Sequence, residues 1–149
     1  MLDPTDMTII EILQGEGRIG MSELGRRIGL SQPATSERVK RLEERGIVAG
    51  YGARIDAASL GLGMMAVIRL RTTHEYIKPC LKQFAAMPQV IEVLRLTGED
   101  CFLLKVLVPN PGALETIVDA VACHGSVTTS LVLREEPRKP VGRALLKQR

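Results

Sequence analysis

Three observations predict an α+β chain, an N-terminal winged helix-turn-helix domain followed by a C-terminal ferredoxin-like βαββαβ sandwich. Apolar residues recur at helical spacing up to Arg45, the period changes to alternation at Met64, and strand-like and helix-like runs then follow in the order β-α-β-β-α-β. The boundaries read as 1–55 for the helical domain, 56–62 for a linker, 63–136 for the sandwich and 137–149 for a basic tail.

Asp3-Pro4-Thr5-Asp6 is a strong helix start. Asp3 can cap, Pro4 suits the first helical position, and Asp6 sets negative charge near the free N–H groups. Ile9, Ile10 and Leu13, with Met7 or Leu2, supply the apolar stripe, and Gly15 and Gly17 end the helix. A second helix is expected after Gly20, with Leu24 and Ile28 on one face and Gly29 as its stop. Leu30 packs in the turn. Ser31 then caps a third helix, with Pro33 in its first turn, that runs to about Arg45 and stops at Gly46. Its buried side is Thr35, Val39 and Leu42, and at about 100° per residue Arg38, Arg41 and Arg45 gather beside that stripe. Ile47-Val48 and Tyr51 with Ile55 predict a short strand pair or wing.

Met64 to Arg71 alternates, with Ala66, Ile68 and Leu70 on one face, and reads as a strand. A helix over roughly Tyr76 to Met87 follows, with Ile77, Leu81 and Phe84 or Ala85 inward; Pro79 fits only in its first turn. Val90 to Thr97 and Cys101 to Val108 form a hairpin around Gly98-Glu99-Asp100. Pro109-Asn110-Pro111-Gly112 breaks the chain, Ala113 to Ala122 is helical, and Val127 to Leu133 is the last strand.

Composition narrows the function. Four aromatic residues and no Trp leave no stacking platform for single-stranded nucleic acid. The net charge of +3 says little alone, but its placement says more: Arg26 to Arg45 holds six Arg/Lys against three Glu, whereas Asp3 to Glu16 is acidic with no balancing base. A second basic run, Arg134, Arg138, Lys139, Arg143, Lys147 and Arg149, ends the sequence. Three widely separated cysteines, Cys80, Cys101 and Cys123, suit a reducing compartment, and with His74 and His124 they form no metal-ligand spacing. No signal segment or membrane-length apolar run is present, so the chain reads as cytoplasmic, without a cofactor and without a membrane partner.

The segment Ser22 to Tyr51 carries the most specific signal, two short helices across a tight turn with arginines along the second. That arrangement presents a helix to the major groove of double-stranded DNA. Ser31, Gln32, Pro33, Thr35 and Ser36 sit at the end that reaches bases, and Arg38, Lys40 and Arg41 suit phosphates or guanine edges. The structural alternatives are Ser31 as a plain cap, Thr35 as a core residue, and a solvated face salt-bridged to Glu37 and Glu44.

In these segments the chain resembles the Lrp/AsnC family of transcriptional regulators. The resemblance rests on the opening LDPTDMTIIEILQGEGR, on Glu23, Leu24, Gly29, Leu30, Ser31, Arg38, Val39, Arg41, Leu42, Glu43, Gly46, Ile47, Gly50 and Tyr51, and on the hairpin LTGEDCFLLKV. It implies a sequence-specific regulator whose C-terminal domain drives dimerisation and assembly to a tetramer or octamer. It also implies a small effector, typically an amino acid, bound between dimers near the Thr97 to Cys101 turn. Thr97, Gly98, Glu99, Asp100 and Cys101 are the effector-loop candidates, with Thr128, Thr129 and Ser130 as further lining; an ordinary hairpin turn is the alternative. One departure matters. The family's usual Asp falls at Cys101, with Asp100 one place earlier, and a thiol pairs poorly with an ammonium group. Asp100 substitutes, or the ligand differs, or the effector function is lost.

Two rival readings stand beside this one. One is a ligand-binding sensor or enzyme accessory whose helical half docks protein. The other is a small enzyme, but the sequence offers no catalytic residues: no paired carboxylates in an apolar setting, no Ser/His/Asp set, no phosphate-cradling glycine loop. The basic tail is left open between tracking DNA or a partner subunit and a disordered solubilising end.

Overall fold

The computed structural model describes residues 2–146 and divides into two compact units. One is Ile55–Glu136; the other is built from the segments flanking it on both sides, so the tail belongs to the helical unit. Lys147 and Arg149 of the expected basic run lie outside the described residues.

The helical unit begins with α1 (Pro4–Gly15), capped as its sequence demands. The Asp3 carboxylate accepts from the Asp6 amide at 2.8 Å, and the Asp6 carboxylate accepts from the Asp3 amide at 3.2 Å. Helix α2 (Met21–Ile28) ends on Gly29, whose φ of 72° is left-handed. Helix α3 (Gln32–Glu44) is capped by Ser31, whose Oγ accepts from the Ala34 amide at 3.4 Å. Ile9, Leu13, Leu24, Val39 and Leu42 form the shared core, close to the stripes expected from spacing.

The strand pair expected beyond α3 is not formed. Residues 47–57 carry no strand. Instead Tyr51 turns back and its hydroxyl donates to Glu43 of α3 at 2.7 Å. Burial, then the Glu43 carboxylate, push the Tyr51 phenol up to about 12, so it stays a donor. Within the expected linker a single 3-10 turn, Ala58–Leu60, is held by Asp56, which accepts from the Ala58 amide at 3.2 Å and the Ser59 hydroxyl at 2.5 Å.

The second unit runs β1 (Met64–Arg71), α4 (Ile77–Ala85), β2 (Val90–Arg95), β3 (Phe102–Val108), α5 (Pro111–Ala122) and β4 (Ser126–Leu131). The sheet order is β2-β3-β1-β4 with every pairing antiparallel, the split βαβ arrangement that the element order predicts. Alternation decides the faces. Ala66, Ile68, Leu70, Phe102, Leu104, Val106 and Val108 are buried together with Cys80 and Phe84 of α4 and Ile117 and Val121 of α5. Phe84 meets Phe102 edge-to-face with ring centroids 5.3 Å apart. Pro79 lies in the first turn of α4, where its missing N–H does no harm. Helix α5 starts earlier than expected, because Pro111 occupies its first position and the Asn110 side chain accepts from the Ala113 amide at 2.9 Å.

Candidate nucleic-acid interface and effector loop

The turn between α2 and α3 is set by a contact between a glycine and a threonine. Thr35 is fully buried, and its hydroxyl donates to the Ser31 carbonyl at 2.9 Å. Gly25 packs against it so closely that a Cβ there would stand 2.6 Å from the Leu30 carbonyl oxygen and 2.8 Å from Thr35 Oγ1. Thr35 is therefore a core residue that fixes the approach of the two helices. Its place among the base-reading candidates is corrected.

Arg38 makes a contact inside the helical unit. One guanidinium nitrogen donates to Asp3 at 2.6 Å and to Asp6 at 2.8 Å, so this side chain ties α3 to the start of α1. The Asp6 amide, then the Arg38 guanidinium, hold the Asp3 carboxyl below its ordinary value. The acidic opening that lacked a balancing base in sequence finds one 32 and 35 positions away.

The other candidates on α3 face outward. Ser31, Gln32, Pro33, Lys40 and Arg41 are exposed and Ser36 is half-buried. Gln32 accepts from the Ser22 hydroxyl at 3.1 Å, which steadies the N-terminal end. Among the described residues Lys40 and Arg41 are paired along the helix, to Glu44 at 3.7 Å and Glu37 at 3.0 Å. Such exposed pairs are worth little and open readily for a phosphate. No acidic residue occupies the first turn of α3, where Pro33 carries no N–H and the Ala34 amide is held by Ser31. Arg26 and Arg27 of α2 add to the basic side chains near α3, a placement that the six bases between Arg26 and Arg45 signal in the sequence. Arg27 donates to Glu16 at 2.6 Å and to Glu23 at 2.9 Å, and Arg26 donates to Glu23 at 2.7 Å. Hydrogen bonds from Arg26 and Arg27 bring the Glu23 carboxyl down to about 2.

In the other unit the hairpin loop closes with the Leu96 amide on the Cys101 carbonyl at 3.0 Å, and Gly98 takes a φ of 100°. Cys101 is half-buried and turned back: its Sγ donates to the Thr72 carbonyl at 3.2 Å and its amide to the Leu70 carbonyl at 2.7 Å. The two carboxylates before it meet arginines instead, Asp100 to Arg69 at 3.6 Å and Glu99 to Arg71 at 3.8 Å. Both separations are too long for a hydrogen bond, so the pairs are loose. Arg69 and Arg71 were missed as site residues; the alternation that buries Ile68 and Leu70 puts both on the opposite face.

Thr128 and Thr129 do not line one cleft. Thr128 stands opposite Arg69 and shares its open face, whereas Thr129 stands opposite the buried Ile68 and faces the helices. Thr129 is thereby separated from the loop's charged side, and Ser130 shares the face of Thr128.

A helix-turn-helix with an outward α3, followed by an antiparallel sheet with a charged loop, defines a DNA-binding protein with a regulatory domain. The comparisons agree. Residues 2–49 match the winged helix-turn-helix DNA-binding model, and residues 65–141 match the Lrp/AsnC ligand binding domain. The chain is 36% identical over 143 residues to the uncharacterized HTH-type transcriptional regulator YezC of Bacillus subtilis, covering 93% of this chain and 99% of that one. It is 33% identical to the leucine-responsive regulatory protein of Rhizobium meliloti, covering 90% of each. Among solved structures it matches LrpC of Bacillus subtilis with a TM-score of 0.87 at 29% identity, covering 93% of this chain and 99% of that chain. It matches the transcriptional regulator NMB0573 of Neisseria meningitidis, a complex with L-Met, with a TM-score of 0.83 at 32% identity over 99% of both chains. The chain belongs to the Lrp/AsnC family of DNA-binding transcriptional regulators and carries that family's ligand-binding domain.

Among the described residues no helix is long and apolar enough to cross a membrane, and no cluster of His, Cys, Asp and Glu is placed to hold a metal ion.

Proposed function

We propose that this chain is a cytoplasmic, sequence-specific regulator, without enzymatic activity, that reads duplex DNA with the outward face of α3 and answers to an amino acid. Ser31, Gln32, Pro33 and Ser36 approach base edges, and Lys40 and Arg41 meet phosphates. The observation that carries this reading is the packing of Gly25 on Thr35, which locks the helix-turn-helix while Ser31, Gln32, Pro33, Lys40 and Arg41 stay exposed. Arg38 and Thr35 hold the reading helix in place and do not read.

The effector role falls to the hairpin loop. An α-amino acid offers an ammonium group to Asp100 or Glu99 and a carboxylate to Arg69 or Arg71, and the loose pairs among these four open to admit it. Asp100 takes over the carboxylate position that Cys101 vacates by turning to Thr72. The L-Met complex of the Neisseria relative supports this ligand class.

The sheet face away from α4 and α5 carries half-buried Met65, Val67, Leu103 and Leu107 on β1 and β3 and exposed Leu94 on β2. This face pairs with a second copy to form a homodimer, which places two α3 helices on successive major grooves and assembles further to a tetramer or octamer.

The test is selection of duplexes from a random pool, followed by gel shift and thermal denaturation with each of the twenty amino acids. A true effector at about 100 times its dissociation constant raises stability by about 2.7 kcal/mol. No selected duplex would remove the DNA role, and no amino-acid response would remove the effector role.

A further inference from the structure

The C-terminal segment is a built part of the DNA-reading unit. The Gln14 side-chain amide grips the backbone of Val141 twice, donating to its carbonyl at 2.9 Å and accepting from its amide at 2.8 Å. Glu11 accepts from the Arg143 amide at 3.0 Å. Gly142 lies so close that a Cβ there would stand 2.7 Å from Glu11 Oε1. The Arg143 guanidinium donates to the Pro4 carbonyl at 2.6 Å and to the Thr8 hydroxyl. Four positions on one face of α1, Pro4, Thr8, Glu11 and Gln14, thus read three consecutive residues of the tail.

The contact is polar and lightly packed. Val141 and Leu146 line a cavity of about 460 Å³ with Met7, Ile10, Ile47 and Tyr51, and both remain exposed to solvent. Residues 137–142 form no helix or strand, and the short helix α6 (Arg143–Leu146) follows. A segment held by a few side-chain hydrogen bonds, with little apolar surface buried, opens at low free energy. It is also a second covalent crossing: the helical unit joins the sandwich at Arg54–Ile55 and again at Glu136–Pro137.

We propose that residues 137–146 are a releasable strap that holds the reading unit by α1, so that the state of the sandwich reaches α3 through the tail as well as through the linker. The proposal rests on the DNA-binding reading above. It assigns Gln14, Glu11 and Arg143 as positioning residues, and it takes Arg143 away from any phosphate contact, because its guanidinium is already engaged on α1.

The test uses the full chain, a duplex selected by the wild-type protein, and Gln14→Ala and Arg143→Ala variants. The Val141 and Arg143 amides, held by side-chain acceptors, exchange more slowly in the wild type than in either variant, by the modest factor that a low opening free energy allows. Duplex affinity falls about tenfold in each, the size of an ordinary coupling between sites, while the salt dependence of binding keeps its slope. Unchanged affinity in a variant whose strap is shown open by exchange would overturn the proposal. So would wild-type amides that exchange freely, or a salt slope that falls by about one unit in Arg143→Ala alone, which would make Arg143 a direct phosphate ligand. Wild-type protein that selects no duplex would instead sink the DNA-binding reading.

Discussion

Gly25 and Thr35 meet so closely across the turn that the threonine hydroxyl would lie 2.8 Å from a methyl group placed on the glycine. The same methyl would lie 2.6 Å from the Leu30 carbonyl oxygen, which is backbone and cannot swing away. Gly25→Ala is therefore expected to destabilise the helical unit by about 1–3 kcal/mol through overpacking. Urea denaturation followed by helix content checks it; a variant as stable as the parent would mean that the helices separate freely.

Arg38 and Arg41 lie on one helix but are predicted to fail differently. Arg41→Ala should weaken duplex binding and lower the salt slope by about one, as loss of one phosphate contact does. Arg38→Ala should lower the melting temperature of the helical unit, because Asp3 and Asp6 lose their shared cation. Its salt slope should be that of the parent. Salt titrations of both variants separate the roles, and a reduced slope in Arg38→Ala would return that residue to the DNA face.

Acid should loosen the helical unit before neutral conditions do. The Glu23 carboxyl is brought from its ordinary 4.5 down to about 2 by hydrogen bonds from Arg26 and Arg27, and the Asp3 carboxyl is lowered as well. A depressed folded value means that the unfolded chain binds more protons in this window, so stability rises with pH there. The contribution is complete above 4.5 and is lost as pH falls towards 2. Glu23→Gln should flatten the acid limb of stability against pH, and an unaltered limb would show that the fork from Arg26 and Arg27 contributes nothing in solution.

Phe102 is wholly buried and stacks edge-to-face on Phe84. Phe102→Ala should cost the sandwich about 3–5 kcal/mol. Calorimetry of the full chain reads this loss, and a small shift would mean that α4 collapses into the space.

The open sheet face is testable by charge. Val67 sits on it opposite Lys105, half-buried in the single chain. Val67→Asp should weaken the dimer in sedimentation equilibrium, since a carboxylate buried at an interface must be desolvated even with Lys105 opposite it. A dimer as tight as the parent's would place the interface elsewhere.

What could be foreseen from residues was what depends on near neighbours. The alternation from Met64 to Arg71 gave the right buried set because a strand's faces repeat every second residue. Asp3, Ser31 and Gly29 marked helix ends because caps are local. The same alternation parts Thr128 from Thr129. The pairing of Arg38 with Asp3 and Asp6 was hidden because helical spacing tells which side a residue occupies and not which distant carboxylates come to meet it. The expected strand pair after α3 was replaced by the Tyr51–Glu43 hydrogen bond, a contact between side chains that no hydrophobic pattern encodes. The grip of α1 on Val141 was hidden for a similar reason: two of its three residues are recognised by their backbone.

Because the reading unit is assembled from both sides of Ile55–Glu136, its last piece leaves the ribosome only after the whole sandwich has been synthesised. A nascent chain can form α1, α2 and α3 early, but it cannot close the clasp on α1 until β4 is behind it. Completion of the helix-turn-helix unit is in this way timed to completion of the ligand-binding domain.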